Sequence, residues 1–393
     1  MSKVWQGCFF SLSTLFNSKC VLYDNNIHHE SQVKNRKTLI AGGISKTSFA
    51  ATFARNLYIE PFLVRIVVKV LVTGSNGFIG SFLVERLHSE GHQVRCLVRR
   101  TSNLQWIKHL DVEFVYGELC NPATLITALR EIDLVYHVGG VTRGRTEADY
   151  MKGNYTATVN LLTACEKVGS DAQKFVFVSS QAAGGPSSHG EPLSEIEAQH
   201  PISIYGRSKH LAEQAVMEFA KNRPATIVRP PTVYGPRDTD FYKLFRNARY
   251  GFMPVAGNGS QKISIIHVAD LIEGFILAGL KDVANGQLFF LNSDDQINYN
   301  ELARLIAQAT GSKERIVHVP LGLVKLVFWG AGFTAAFSKK PSIINRDKFK
   351  EMKQVAWLCS NQKAKDLLDF HPQIGIEEGL KNTAQWYMQE GWL

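Results

Sequence analysis

The run VRIVVKVLVTGSNGFIG, residues 64–80, constrains this chain more than any other stretch. Its nearly continuous β-branched residues specify a strand buried on both faces, as in the interior of a parallel sheet. The run ends in three glycines, Gly74, Gly77 and Gly80, and FIGSFLVERLHSEG continues with helical apolar spacing and Gly91 as a C-cap. A strand, a glycine turn and a helix N-terminus together make a phosphate cradle. Glycine permits close backbone approach and positive φ, and the helix start offers free N–H groups with partial positive charge. The spacing here is GxxGxxG, and in this context it predicts a dinucleotide site at Gly74, Ser75, Asn76, Gly77, Phe78, Ile79 and Gly80.

Beyond Gly91, strand-like and helical segments alternate. They run as strand HQVRCLVRR, a helical turn near NLQWIKHL, strand VEFVYG, helix PATLITALRE, strand DLVYHVGG, helix NYTATVNLLTACEKVG and strand KFVFVSS. This order predicts βαβ units and an α/β fold with a doubly wound parallel sheet. PATIVRPPTVYG and GQLFFLN read as later strands of the same sheet. Residues 65–235 are therefore read as the nucleotide-binding domain, completed by about 263–292. Residues 236–262 and 293–393 are read as a smaller substrate-binding cap over the strand ends, where open α/β folds bind ligands. Residues 1–64 are of another kind. CFFSLSTLF is apolar, but only Lys3 precedes it and no small-residue cleavage site follows, while NNIHHESQVKNRKT is polar. This part reads as a targeting segment, a disordered extension or sequence upstream of the true start, and no chemistry is assigned to it.

Composition narrows the function classes. Hydrophobic residues at 45% and charged residues at 20% describe a soluble globular protein. The formal charge of +9 is spread without any block of like charges, and neither a zinc-finger spacing nor a ribonucleoprotein motif is found, so a nucleic-acid partner is not expected. Cys8, Cys20, Cys96, Cys120, Cys165 and Cys359 form no CxxC pair. Their scatter fits buried thiols in a reducing, cytoplasmic setting, with no structural metal and no disulfide framework. The apolar stretch Val319–Phe337 has one charge, Lys325, and is read as a buried cap helix, a pocket lining or a peripheral membrane contact. Pro320 and three glycines argue against a spanning helix.

Two further features point to chemistry. Arg99 and Arg100 end the second strand, where the adenosine ribose of a dinucleotide would lie. Paired guanidinium hydrogen bonds suit a 2′-phosphate, so NADP(H) is favoured, with NAD(H) as the alternative. YGRSK places Tyr205 and Lys209 on one helical face. A phenol of pKa about 10 is a poor base at neutral pH, and a nearby ammonium is expected to lower that value. Lys209 is also placed to hold the nicotinamide ribose. Ser180, ending KFVFVSS, can hydrogen-bond a substrate oxygen.

TGSNGFIG, DLVYHVGG, KGNYTATVNLL, FVFVSS, YGRSK, RPPTVYGPRD and HVADL follow in that order, and GLKNTAQWYMQEGWL ends the chain. From about Ile66 to the C-terminus the chain thereby resembles the extended short-chain dehydrogenase/reductases. The resemblance implies a Rossmann fold, a nicotinamide cofactor, a homodimer through two helices, and a catalytic group of Ser180, Tyr205 and Lys209. It implies that Asn154 of KGNYTATVN supports a proton relay. It also implies cofactor contacts from Glu118 and Leu119, from Val138, Gly139 and Gly140, and from Pro230 and Thr232. Glu118 replaces the usual Asp, and Gly139 and Gly140 replace the usual alanines.

Nucleotide-sugar epimerases and dehydratases in the family usually carry Asn before VYG and Arg four residues before the His of HVxD. This chain has Thr232 and Ile263, with Lys262 beside the latter. Losing both groups argues against a desolvated sugar diphosphate. The pattern RPPTVYGPRDTDF…LFRNARYG…GNGSQK is more similar to the 3β-hydroxysteroid (sterol) dehydrogenase and dihydroflavonol reductase-like branches. The expected activity is hydride transfer between NADP(H) and a secondary alcohol or ketone of an apolar small molecule. The alternatives are a redox-neutral epimerase or dehydratase with bound NAD, and a non-catalytic scaffold. Intact Ser180, Tyr205 and Lys209 weigh against the scaffold.

Overall fold

The structure, a computed structural model, describes residues 67–393 apart from 170–172, 188–189, 327 and 329–345. The expectations for residues 1–64 and for most of Val319–Phe337 lie outside the described residues. Seven strands make the main sheet: β1 (Lys69–Thr73), β2 (Gln93–Val98), β3 (Glu113–Tyr116), β4 (Leu134–His137), β5 (Lys174–Val178), β6 (Ala225–Arg229) and β10 (Leu288–Phe290). Their spatial order is β3-β2-β1-β4-β5-β6-β10, and all are parallel. This is the doubly wound sheet predicted from the alternation of apolar runs. Val72 of β1 pairs with Cys96 of β2 on one side and Tyr136 of β4 on the other. The chain order reverses at β1, so the β1 and β4 ends open the crevice where such folds bind ligands.

Side-chain alternation along β1 decides which helices cover which face. Val70 and Val72 join the core beneath α1 (Phe78–Ser89), with Leu83 and Leu87. Leu71 points the other way, into a core built with Leu125 of α2 (Pro122–Leu129), Leu161 of α3 (Ala157–Val168) and Ala212 of α4 (Ile204–Phe219). Each of these buried leucines or valines contributes about 1.5–3 kcal/mol. A π-helical stretch, Met151–Thr156, leads into α3, which ends at Gly169 with φ +81°.

PATIVRPPTVYG does not continue as one strand of the main sheet. β6 ends at Arg229, and after Pro230 and Pro231 the chain forms β7 (Thr232–Tyr234), which pairs in parallel with β9 (Lys262–His267). Two consecutive prolines offer no N–H groups to extend the β6 ladder, so the strand leaves it there. β9 also pairs with β11 (Gln296–Asn298) and β13 (Ala356–Trp357), giving a second sheet. β8 (Met253–Ala256) and β12 (Ile316–Val319) form a separate parallel pair. Around these strands, α5 (Thr239–Arg249), α7 (Tyr299–Ala309) and α9 (Ile376–Gln389) enclose a second core that includes Phe245, Ile265, Ile306 and Tyr387. The two cores are interleaved in sequence. α6 (Val268–Leu280) packs with α1 in the first core, and α8 (Gln362–Leu368) returns there with Ala364, Leu368 and Phe370.

Candidate active site

The glycine turn is held by its own geometry. Gly74 has φ +70°, and a Cβ on it would lie 2.7 Å from the Gly139 backbone. A Cβ on Gly80 would lie 2.1 Å from the Gly74 carbonyl oxygen. The Gly77 N–H donates to that same oxygen at 3.0 Å. No side chain caps α1 at Gly77, which leaves the first-turn N–H groups without a side-chain acceptor, as an anion-binding helix start requires. Ser75 is buried, while Asn76, Phe78 and Ile79 are half-buried along the turn. These residues fit a dinucleotide phosphate. Gly80→Ala is accordingly expected to cost about 1–3 kcal/mol in folding stability through overpacking. It should weaken dinucleotide binding as the turn opens; thermal unfolding and a fluorescence titration read the two effects.

Arg99 and Arg100 emerge exposed from the end of β2, and neither is ion-paired with a described carboxylate. The Arg100 guanidinium lies 5.4 Å from the centre of the Tyr116 ring. Glu118 follows β3 and is exposed. Leu119 is half-buried, and its carbonyl accepts from Asn160 Nδ2 at 3.1 Å. Val138 and Gly139 are half-buried after β4, and Gly140 is exposed there. The Pro230 carbonyl accepts the Gln181 N–H at 2.9 Å, beside Ser180. Thr232 is exposed on β7, in the second sheet.

Ser180, Tyr205, Lys209 and Asn154 are brought together near the ends of β4 and β5. Ser180 caps the short helical turn Gln181–Gly184, its Oγ accepting the Ala182 N–H at 3.2 Å. Ser203 caps α4, and Asp347 Oδ2 accepts the Ile204 N–H at 2.7 Å, one residue before Tyr205. Lys209 is only 3% exposed. Its Nζ donates to the Val178 carbonyl at 2.7 Å and lies 4.5 Å from the centre of the Phe177 ring. A Cβ on Gly140 would stand 3.0 Å from Asn154 Oδ1 and 3.4 Å from that Nζ. The glycine thus keeps the space beside the ammonium open.

The electrostatics correct one expectation. Burial pushes the Tyr205 phenol up to about 12, and the hydrogen bond with Ser180 works against that rise. Burial also pushes Lys209 down to about 8, against the pull of Glu213. Lys209 was expected to lower the phenol. Desolvation dominates at both instead, at the half-buried Tyr205 and the buried Lys209, because it disfavours phenolate and ammonium alike. Asn154 also differs from a simple relay side chain. Its Nδ2 donates to the Val141 carbonyl at 3.0 Å and to Ser208 Oγ at 2.8 Å, and its Oδ1 accepts the Val141 N–H at 2.7 Å. The amide is fully engaged in bracing the loop after β4 against α4.

Several polar residues of the site were not singled out from sequence. Thr73, His137 and Thr158 form a buried chain of hydrogen bonds beneath the crevice. Burial, with Lys209 nearby, lowers the His137 pKa to about 3. Arg229, closing β6, makes two hydrogen bonds of 2.7 and 2.6 Å to Glu213 of α4. Arg237 has φ +71°, donates to Ser81 Oγ and Glu85 of α1, and lies over Phe82 and Trp106. The available signal was a polar residue at the end of an otherwise apolar strand, in VLVTG, DLVYH and TIVR.

The sequence profile of the NAD dependent epimerase/dehydratase family matches residues 70–289, more than half of the chain. The chain belongs to that family. The resemblance to extended short-chain dehydrogenase/reductases therefore holds, and with it an NAD-dependent enzyme acting on CH–OH groups. The chain is 28% identical over 331 residues to a ceramide reductase of Caulobacter vibrioides, covering 82% of this chain and 96% of that one. It is 31% identical over 263 residues to a 3β-hydroxysteroid dehydrogenase/Δ5→4-isomerase of Mycobacterium tuberculosis, covering 62% and 70%. It is 27% identical over 346 residues to a UDP-N-acetyl-α-D-glucosaminuronate decarboxylase of Bacillus cytotoxicus, covering 82% and 98%. Among solved structures, that of gox2253 is similar at a TM-score of 0.70 and 31% identity, covering 82% of this chain and 98% of that one. Among the described residues no helix is long and apolar enough to cross a membrane.

Proposed function

We propose that this family member moves a hydride between NADP(H) and a secondary alcohol or ketone on an apolar small molecule. The observation that carries this reading is the half-buried Tyr205 phenol, hydrogen-bonded with Ser180 on the helix that also presents Lys209. A bound nicotinamide supplies or accepts the hydride at the substrate carbon. The chain's own residues handle the oxygen. Tyr205, protonated at neutral pH, donates its proton to that oxygen in reduction and is left as phenolate; in oxidation the phenolate accepts the hydroxyl proton of the substrate. Ser180 holds the same oxygen, and the Lys209 ammonium stabilises the phenolate that Tyr205 becomes. Asn154 keeps the loop at Val141 and the helix at Ser208 in register for this arrangement.

Preference for NADP(H) is supported by Arg99 and Arg100, which are exposed and without a described acidic partner where the adenosine ribose would lie. An apolar substrate is supported by Ile263, which is 3% exposed within the second core and offers no group to a diphosphate. The relatives named for ceramide and for 3β-hydroxysteroids point the same way. A redox-neutral reading with bound NAD is kept by the exposed Lys262 on β9 and by the UDP-sugar decarboxylase relative.

Titration of the purified protein with NADPH and NADH by fluorescence tests the proposal. NADPH is expected to bind more tightly, because each charge-assisted hydrogen bond contributes about 1.5–3 kcal/mol. Substituting both arginines with alanine should remove that preference, roughly tenfold or more in affinity ratio. NAD retained through purification would favour the redox-neutral reading. Binding of neither dinucleotide by folded protein would leave the scaffold.

A further inference from the structure

We infer that His137, held as its Nε2–H tautomer between Thr73 and Thr158, is a positioning residue that sets the backbone of residues 138–140 for dinucleotide binding. The inference rests on the nucleotide site proposed above and extends it to a set of buried residues with no assigned role.

The hydrogen-bond directions follow from the contacts. Thr158 Oγ1 lies 2.6 Å from the Asn154 carbonyl oxygen, and only the hydroxyl has a proton to place between them. Thr158 therefore accepts from His137 Nε2, 3.0 Å away, so that nitrogen bears the proton. Nδ1 is then an acceptor, and the Thr73 hydroxyl donates to it at 2.7 Å. Having used its proton, Thr73 Oγ1 receives the Gly139 N–H at 3.2 Å. Each donor has one acceptor, and the sequence Gly139, Thr73, His137, Thr158, Asn154 has a single consistent direction.

The need for such support comes from the glycines. Gly139 and Gly140 have no side chains to pack, yet Gly139 lies against the phosphate turn so closely that a Cβ on Gly74 would stand 2.7 Å from its backbone. The loop is instead fixed by hydrogen bonds at both ends. The histidine chain holds it at Gly139, and the Asn154 amide holds it at Val141 with bonds of 2.7 and 3.0 Å. The two supports meet in one residue, since Asn154 takes the Thr158 hydroxyl on its carbonyl and braces Val141 with its side chain. His137 and Thr158 are fully buried and Thr73 is 1% exposed, so water cannot substitute for a missing member.

The test uses the full chain and NADPH as the probe. Thr73→Val is expected to weaken NADPH binding at least tenfold, and Thr73→Ser to restore it to within about twofold of wild type. Val70→Ala, a core change in the same strand outside the hydrogen-bond chain, serves as the control for lost stability. At a comparable fall in Tm, it should leave NADPH affinity within about twofold. Nitrogen-15 imidazole spectra of the wild-type protein should show His137 protonated at Nε2 alone, a readout that does not require any variant to fold. Wild-type affinity in Thr73→Val, equal weakening in Val70→Ala, or an Nδ1–H spectrum would each overturn the inference. Wild-type protein that binds no dinucleotide would overturn the parent reading, and this one with it.

Discussion

Tyr205→Phe is expected to lower turnover by about 10²–10⁴-fold while leaving dinucleotide affinity nearly unchanged. The substitution removes one oxygen and keeps the ring, whose centre lies 6.3 Å from that of Tyr150. The loss should therefore appear in kcat, since a proton transfer made only during reaction is removed and the fold is not. Steady-state rates with a confirmed substrate, beside a fluorescence titration of cofactor, separate the two. Full turnover in Tyr205→Phe would show that another group handles the proton. The pH dependence has a definite sign. Lys209 loses its charge as pH rises through about 8, whereas Tyr205 itself titrates near 12. Reduction should thus fade on the alkaline side of about pH 8, when the phenolate loses its stabilising neighbour, well before the phenol deprotonates.

The second large effect concerns stability. Arg229→Met should destabilise the fold by about 3–5 kcal/mol, read as a fall in the urea midpoint. Arg229 and Glu213 have side chains only 1% and 3% exposed, and their two hydrogen bonds tie the end of β6 to α4. Burial would push the Glu213 carboxyl up, but hydrogen bonds from Arg229 and His210 hold it below its usual range. Removing Arg229 leaves that carboxylate desolvated without its main partner. The double variant Arg229→Met/Glu213→Gln should recover much of the loss, because no buried charge is then left unmatched. Destabilisation of the double variant equal to the sum of the singles would mean the pair is not coupled.

How much of this was legible in sequence depended on the range of the interaction. The parallel sheet could be read because strands buried on both faces become apolar runs, and the glycine turn because its geometry is local. Ser180, Tyr205 and Lys209 lie in short motifs, which is why they can be proposed from sequence. The turn at Pro230 and Pro231 was missed because TVY is as strand-like as TIVR, and only its pairing with β9 shows that it has changed sheets. The contact between Thr73 and His137 spans 64 residues of sequence and exists because β1 and β4 are neighbours. The effect of Lys209 on Tyr205 was misjudged for a related reason. Proximity on one helical turn is visible in a sequence, whereas exclusion of water is produced by the whole fold.

The interleaving of the two cores has a consequence for how such an enzyme can change. The chain passes between them after Pro230–Pro231, between Ile265 and Ile266, between β10 and β11, and on either side of α8. Neither lobe is a continuous stretch of gene, so no single recombination event could transplant one without cutting the other. Deleting the C-terminal segment from residue 362 onward would remove Leu368 and Phe370 from beneath the main sheet as well as α9 from the smaller lobe. A lineage built this way must acquire new substrates by point changes and loop insertions around a fixed pair of scaffolds, with the inherited cofactor machinery kept in place.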